Sequence, residues 1–257
     1  MIVFGTGTGR CGTHALSLLL NAQLFSSVTH EQADTRYRGD ELAARALDSA
    51  ESALRAGKSL AGDCAFYYLQ VAERLMAHGP QVKIVYLWRN RDEVVQSFLR
   101  KCRDRNHWTS PGSPHWHEDD LPGNGLFPTY DLPKAQAIKQ YWKDCEVRAW
   151  RLLEQYPEQF VMFDTNVVLN SQEGQDCLLS FLDVPLADHV YHVGLRTNQS
   201  AFQPLVTITP NYEPTERCDA CHSELGWWYV EANGTGRFAC HGCREAMVNE
   251  VRHAVAA

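Results

Sequence analysis

Between Gly5 and His14 the sequence reads GTGTGRCGTH, and its residue types are those of an anion site. Glycines at 5, 7, 9 and 12 let the backbone approach a ligand closely, Arg10 brings a fixed charge, and Thr13 adds a hydroxyl. The chemistry such a run performs is phosphate binding, through loop and helix-start N–H groups assisted by the helix dipole. Gly7 to Gly12 has the G-x-x-x-x-G spacing of a nucleotide-triphosphate loop, but Thr13 and His14 follow where that loop has Lys and Ser/Thr. The lysine for the terminal phosphates and the hydroxyl for magnesium are missing there. An anionic group transferred without a metal suits Arg10 better. A second candidate is Arg89, in LWRNRDEVVQS, with Ser97 eight residues on. Arg89 can make a bidentate contact to phosphate. Its plainer role is to pair with Asp92 or Glu93 at a helix start.

A separate constellation lies near the carboxyl terminus. Cys218 and Cys221, then Cys240 and Cys243, form two CxxC pairs eighteen residues apart. That spacing matches a zinc ribbon, in which four thiolates close a tetrahedral structural site. His222 and His241 are neighbouring substitutes. A module this small cannot bury enough apolar surface to fold alone, so the metal is expected to stabilise it. Two disulfides or a redox pair are the rival readings. Residues 227–231 and 237–239 read as strands around Asn233-Gly234, a hairpin signal. A closed zinc site has no open position for chemistry. A protein partner, a nucleic acid or the chain's own larger domain could dock on the ribbon, with Trp227-Trp228 packed inside it.

The elements that must position these residues alternate. Ile2, Val3 and Phe4 begin a buried strand, and Leu16, Leu19 and Leu20 recur at helical spacing. Residues 25–29 read as a short strand or loop ending at His30-Glu31, 40–56 as an alanine-rich helix stopped by Gly57, 59–64 as a strand and 66–78 as a helix. QVKIVYLW (81–88) is the clearest later strand and leads straight into Arg89. Helices are expected over about 92–102, 134–156 and 172–182, and a strand over 159–164. This alternation predicts an α/β fold, a mostly parallel sheet with helices on both faces. Arginine at the carboxyl end of such a strand lies on the edge where α/β ligands bind. Residues 103–132, rich in Pro, Gly, His and Trp, interrupt the pattern as one long loop. The expected domains are 1–206 and 207–257, the latter opening on a Pro-containing linker.

Composition bounds the rest. The formal charge of −7 argues against a general nucleic-acid coat. Met1 leads directly into the first strand, no apolar run is long enough to span a membrane, and Cys11, Cys64, Cys102, Cys145 and Cys177 are scattered. These features predict a cytoplasmic chain with reduced thiols.

Taken together, GTGRCGT after the first strand and LWRNRDEVVQS after a later one resemble the sulfotransferase superfamily over roughly residues 1–200. The resemblance implies a P-loop-like core that uses 3′-phosphoadenosine 5′-phosphosulfate. Its first loop, here Gly9, Arg10, Cys11, Gly12, Thr13 and His14, would hold the 5′-phosphosulfate. Arg89 and Ser97 would hold the 3′-phosphate. Many cytosolic members have Lys at the position of Arg10, and Arg preserves the charge. The family's C-terminal Gly/Lys loop has no clear counterpart; Arg196 is the nearest substitute. Transfer would be in-line to a hydroxyl or amine of a small-molecule or carbohydrate acceptor, with Arg10 and loop amides on the bridging oxygen and a base on the acceptor. By position in the family, the base candidates are Glu31, then His30, then Asp63. An exposed loop pair is the plain alternative for His30 and Glu31. His107-Trp108 and His115-Trp116-His117 suggest an acceptor lid, or less readily a metal site. A P-loop nucleotide kinase or hydrolase, and a non-catalytic nucleotide-binding adaptor that presents the ribbon, are the competing functions.

Overall fold

The computed structural model describes residues 1–33, 36–123 and 125–194, together with strands Trp227–Val230 and Gly236–Ala239. The chain divides into two units, Met1–Asn198 and Gln199–Ala257. In the first, five strands form one parallel sheet: β1 (Ile2–Gly7), β2 (Ser26–His30), β3 (Leu60–Cys64), β4 (Val82–Trp88) and β7 (Phe160–Asp164). Their spatial order is β2-β3-β1-β4-β7. The glycine-bearing β1 is therefore central, with Phe4 opposite Asp63 on one side and Ile84 on the other.

Helices α1 (Thr13–Asn21), α2 (Gly39–Arg55), α3 (Ala72–Met76), α4 (Arg91–Lys101), α5 (Lys134–Gln155), α6 (Thr165–Asn170) and α7 (Gln172–Phe181) flank the sheet. Alternation along β1 separates its two faces. Ile2 and Phe4 join a core with Leu42 and Ala46 of α2, Leu75 of α3 and Ile138 and Ala149 of α5. On the opposite face Gly5 leaves room for Leu16 of α1: a Cβ there would lie 2.7 Å from Leu16 Cδ2. The expected α/β architecture is present. No helix among the described residues is long and apolar enough to cross a membrane.

Three expectations need correction. Residues 66–78 are not one helix but a 3₁₀ turn, Phe66–Val71, followed by α3. The Thr6 hydroxyl accepts from the Leu69 N–H at 3.0 Å and donates to the Phe66 carbonyl at 3.1 Å, diverting backbone groups that an α-helix would use. Helix α6 was not expected, because its six residues are too few to show a helical period; Asp164 caps it, accepting from the Asn166 N–H at 2.7 Å.

The third correction concerns 103–132, which carries β5 (Arg105–Asn106) and β6 (Leu121–Pro122). Trp108, expected to be part of a lid, is fully buried. Its ring packs on Phe98 at 4.8 Å and Phe127 at 4.9 Å, and Phe127 stacks flat on Phe66 at 4.7 Å. Its indole nitrogen has no hydrogen-bond partner among the described residues, so packing holds the ring, while the backbone is tied to Asn106 and Tyr130.

In the second unit β8 (Trp227–Val230) pairs antiparallel with β9 (Gly236–Ala239), Trp228 opposite Phe238. A hairpin was expected there. The four ribbon cysteines, the Asn233-Gly234 turn and Arg196 lie outside the described residues.

Candidate functional site

Because the sheet is parallel, the carboxyl ends of its strands share one edge, where α/β proteins place ligands. Gly7, His30, Cys64, Trp88 and Asp164 are the final residues of the five strands. The loop leaving β1 has Gly9 at φ 78°, Arg10 at 57° and Gly12 at 99°, left-handed residues interrupted by Cys11, a turn conformation of the kind that gathers backbone N–H groups into a concave nest. Arg10 pays a conformational cost of roughly 1–2 kcal/mol there. At Gly12 a side chain would also be crowded, since a Cβ would sit 3.0 Å from Leu169 Cδ1 and 3.1 Å from Thr165 Cγ2. Gly12 then caps α1 with no side-chain bond to the helix, and no acidic residue occupies the first turn. The positive end of α1 therefore faces the nest uncompensated by a carboxylate.

Arg10, Arg89 and Ser97 meet at this nest. Arg10 Nε donates to Ser97 Oγ at 3.1 Å, and Arg89 Nη1 donates to the Arg10 carbonyl at 2.8 Å. The two cradles anticipated from the resemblance thus form one hydrogen-bonded cluster. Arg89 also carries the plainer contact: its Nε donates to Glu93 Oε2 at 2.8 Å. Ser97 lies on the buried side of α4, and its oxygen is the acceptor from Arg10. Cys11 is buried, and burial pushes its thiol up to about 11, so only its backbone suits a ligand.

Two residues that the sequence reading passed over hold this loop. Thr165, first residue of α6, donates at 2.8 Å to the Cys11 carbonyl and stands 2.8 Å from the Trp88 carbonyl, bridging the ends of β1 and β4. Tyr141 on α5 donates to the Thr8 carbonyl at 3.0 Å. Neither has a local signal; each is defined by a contact across the sheet.

The base candidates lie at the β2–β3 end. His30 Nε2 is 3.2 Å from Thr13 Oγ1 and 4.0 Å from Glu31 Oε1, and its ring is 4.9 Å from that of His14. Burial and His14 lower the His30 pKa, against the opposing pull of Glu31 and Asp63. Glu31 is left-handed at φ 53° and half exposed. Asp63 differs: it is buried, Thr29 donates to Oδ1 at 2.8 Å, and Tyr68 and the Gln32 N–H donate to Oδ2 at 2.8 and 3.1 Å. Its oxygens are committed to holding the β2 exit in place.

His115 and His117 line an open cleft of about 590 Å³ with Arg103 and Lys134, which includes no residue of the glycine loop. No group of three or more His, Cys, Asp or Glu placed to hold a metal occurs among the described residues, and the histidine-rich segment forms none.

No family model matches the sequence, and no curated protein does. Among solved structures the chain is similar to the sulfotransferase domain from the curacin biosynthetic pathway. The identity is 18% and the TM-score 0.46, over 72% of this chain and 74% of that one.

Proposed function

We propose that the chain is a sulfotransferase that moves a sulfuryl group from 3′-phosphoadenosine 5′-phosphosulfate to a hydroxyl or amine of a small-molecule or carbohydrate acceptor. The observation that carries this reading is the convergence of Arg10, Arg89 and Ser97 on one glycine nest at the carboxyl edge of the sheet. A donor with phosphates at both ends of its ribose needs cations and hydroxyl donors close together, and the cluster supplies them without a magnesium ligand set. In the reaction the acceptor oxygen or nitrogen bonds to sulfur as the bond from sulfur to the 5′-phosphate oxygen breaks. Charge develops on that bridging oxygen, where Arg10 and the loop amides stabilise it. The acceptor's proton passes to a base, for which Glu31 is the first choice and His30 the second. Asp63 is assigned to positioning, because three donors already hold its carboxylate. Cys218, Cys221, Cys240 and Cys243 are assigned to a closed structural zinc site in a separate domain, available to a protein partner. A cytoplasmic location fits a donor of this kind.

The test is thermal denaturation of the full chain with 3′,5′-diphosphoadenosine, with ADP, and with ATP and magnesium. Stabilisation by the first alone is the expected result. Stabilisation only by ATP with magnesium would instead identify a nucleotide kinase or hydrolase.

A further inference from the structure

We propose that His30 sets the direction of the Thr13 hydroxyl proton and so couples anion binding at the glycine loop to the proton on its own Nε2. This rests on the reading of that loop as an anion site.

Thr13 is the first residue of α1, and its hydroxyl is buried against His30. The Thr13 Oγ1 to His30 Nε2 contact at 3.2 Å can run either way, and a hydroxyl has a single proton to give. With Nε2 bare, Thr13 donates to the imidazole, and its oxygen presents only lone pairs to the nest. An anion then meets repulsion where the loop needs a donor. With a proton on Nε2, the imidazole donates to Thr13, and the hydroxyl proton is free to point at the anion. An anion therefore selects the Nε2–H form of His30, as the neutral tautomer or as the imidazolium.

The charged and titratable groups facing His30 are His14 from α1, Glu31 from its own strand end and Asp63 from β3. In the free protein burial, helped by His14 and opposed by Glu31 and Asp63, holds its pKa below the usual value. A bound anion favours the protonated ring and raises that pKa. The sign follows: affinity is greatest below the free-state pKa and falls as pH rises through the bound-state pKa. His30 is thus a positioning residue for the anion.

The experiment titrates the full chain with inorganic sulfate, which does not itself change protonation in this range, at about pH 5.5 and about pH 8.5. Ring nitrogen shifts of His30 are followed by long-range proton–nitrogen correlation. Sulfate is expected to move His30 toward the Nε2–H form at the higher pH. Its affinity should weaken by about tenfold between the two, the equivalent of one unit of linked pKa. His30→Gln places an amide N–H near the Nε2 position and is expected to bind sulfate with a shallower pH profile than the unaltered chain, the remainder belonging to His14, whose ring lies 4.9 Å away. Thr13→Val is expected to abolish the sulfate-induced change of tautomer. Sulfate binding with no change at His30, or a pH dependence undiminished by His30→Gln, overturns the coupling and leaves the anion site standing. Failure of sulfate to bind at either pH overturns the anion-site reading and this inference with it.

Discussion

Asp63 and Glu31 stand at neighbouring strand ends and carry the same functional group, yet their surroundings give them different work. Asp63 is enclosed by Thr29, Tyr68 and the Gln32 N–H, whereas Glu31 projects half exposed beside His30. Asp63→Asn is expected to cost about 1–3 kcal/mol, the range for disturbing a buried hydrogen-bonded group, measured by urea denaturation. Glu31→Gln should keep wild-type stability and lower kcat by about two orders of magnitude with any acceptor that turns over. Full turnover in Glu31→Gln would transfer the role of base to His30. The sequence supplied the cast here without the arrangement. Arg10, Arg89 and Ser97 were legible because glycine spacing and strand–arginine order are local signals. The Arg10–Ser97 contact was not, because it joins positions 87 residues apart. The burial of Asp63 was equally hidden, since two of its three donors, Thr29 and Gln32, come from the β2 end more than 30 residues away.

At the level of elements, α5 docks on β4 through a buried carboxyl. Tyr86 donates to Glu146 Oε1 at 2.7 Å, and burial raises the Glu146 pKa to about 8. The folded protein therefore keeps this proton up to about pH 8, while the unfolded chain releases it near the ordinary glutamate value of 4.5. The native state holds the extra proton between those limits, so this group makes stability fall as pH rises from about 4.5 to about 8. Glu146→Gln should remove that part of the decline and raise the melting temperature near pH 8. Parallel pH profiles for the two proteins would count against a neutral Glu146. The helical stripe on α5 was legible from Ile138, Trp142, Cys145, Ala149 and Leu152, all buried but Trp142, which is partly so. Glu146 was not, because a carboxylate in a helix reads as a solvent-facing position until its partner is known. Thr6 acted likewise on residues 66–78: a hydroxyl from β1 overrode a local helical pattern.

For the whole molecule, the central sheet order places the glycine loop between strands that supply Arg89 on one side and the His30–Asp63 group on the other. The second unit is a different kind of prediction, since it rests on cysteine spacing. Full-length protein purified without chelator is expected to hold about one zinc per chain, released by a thiol-modifying reagent. Cys240→Ser should lose most of that metal and leave binding of 3′,5′-diphosphoadenosine intact; protein free of zinc, with all four thiols reactive, would end the ribbon assignment. Parallel α/β architecture was readable from alternating strands and helices because each element carries its own periodicity. What the 103–132 segment does was unreadable, because Trp and His in a loop look the same whether they meet solvent or core.

That segment has a consequence for how such a protein could be altered. Trp108 and Phe127 are wedged with Phe66, Phe98 and Tyr141 beneath the turn that bears Gly9, and Tyr141 anchors that turn at Thr8. An excursion that would ordinarily be exchangeable trim is here a foundation stone. Grafting a new segment in its place would disturb the turn that bears Gly9, so this excursion and the glycine loop are not separately adjustable in this scaffold.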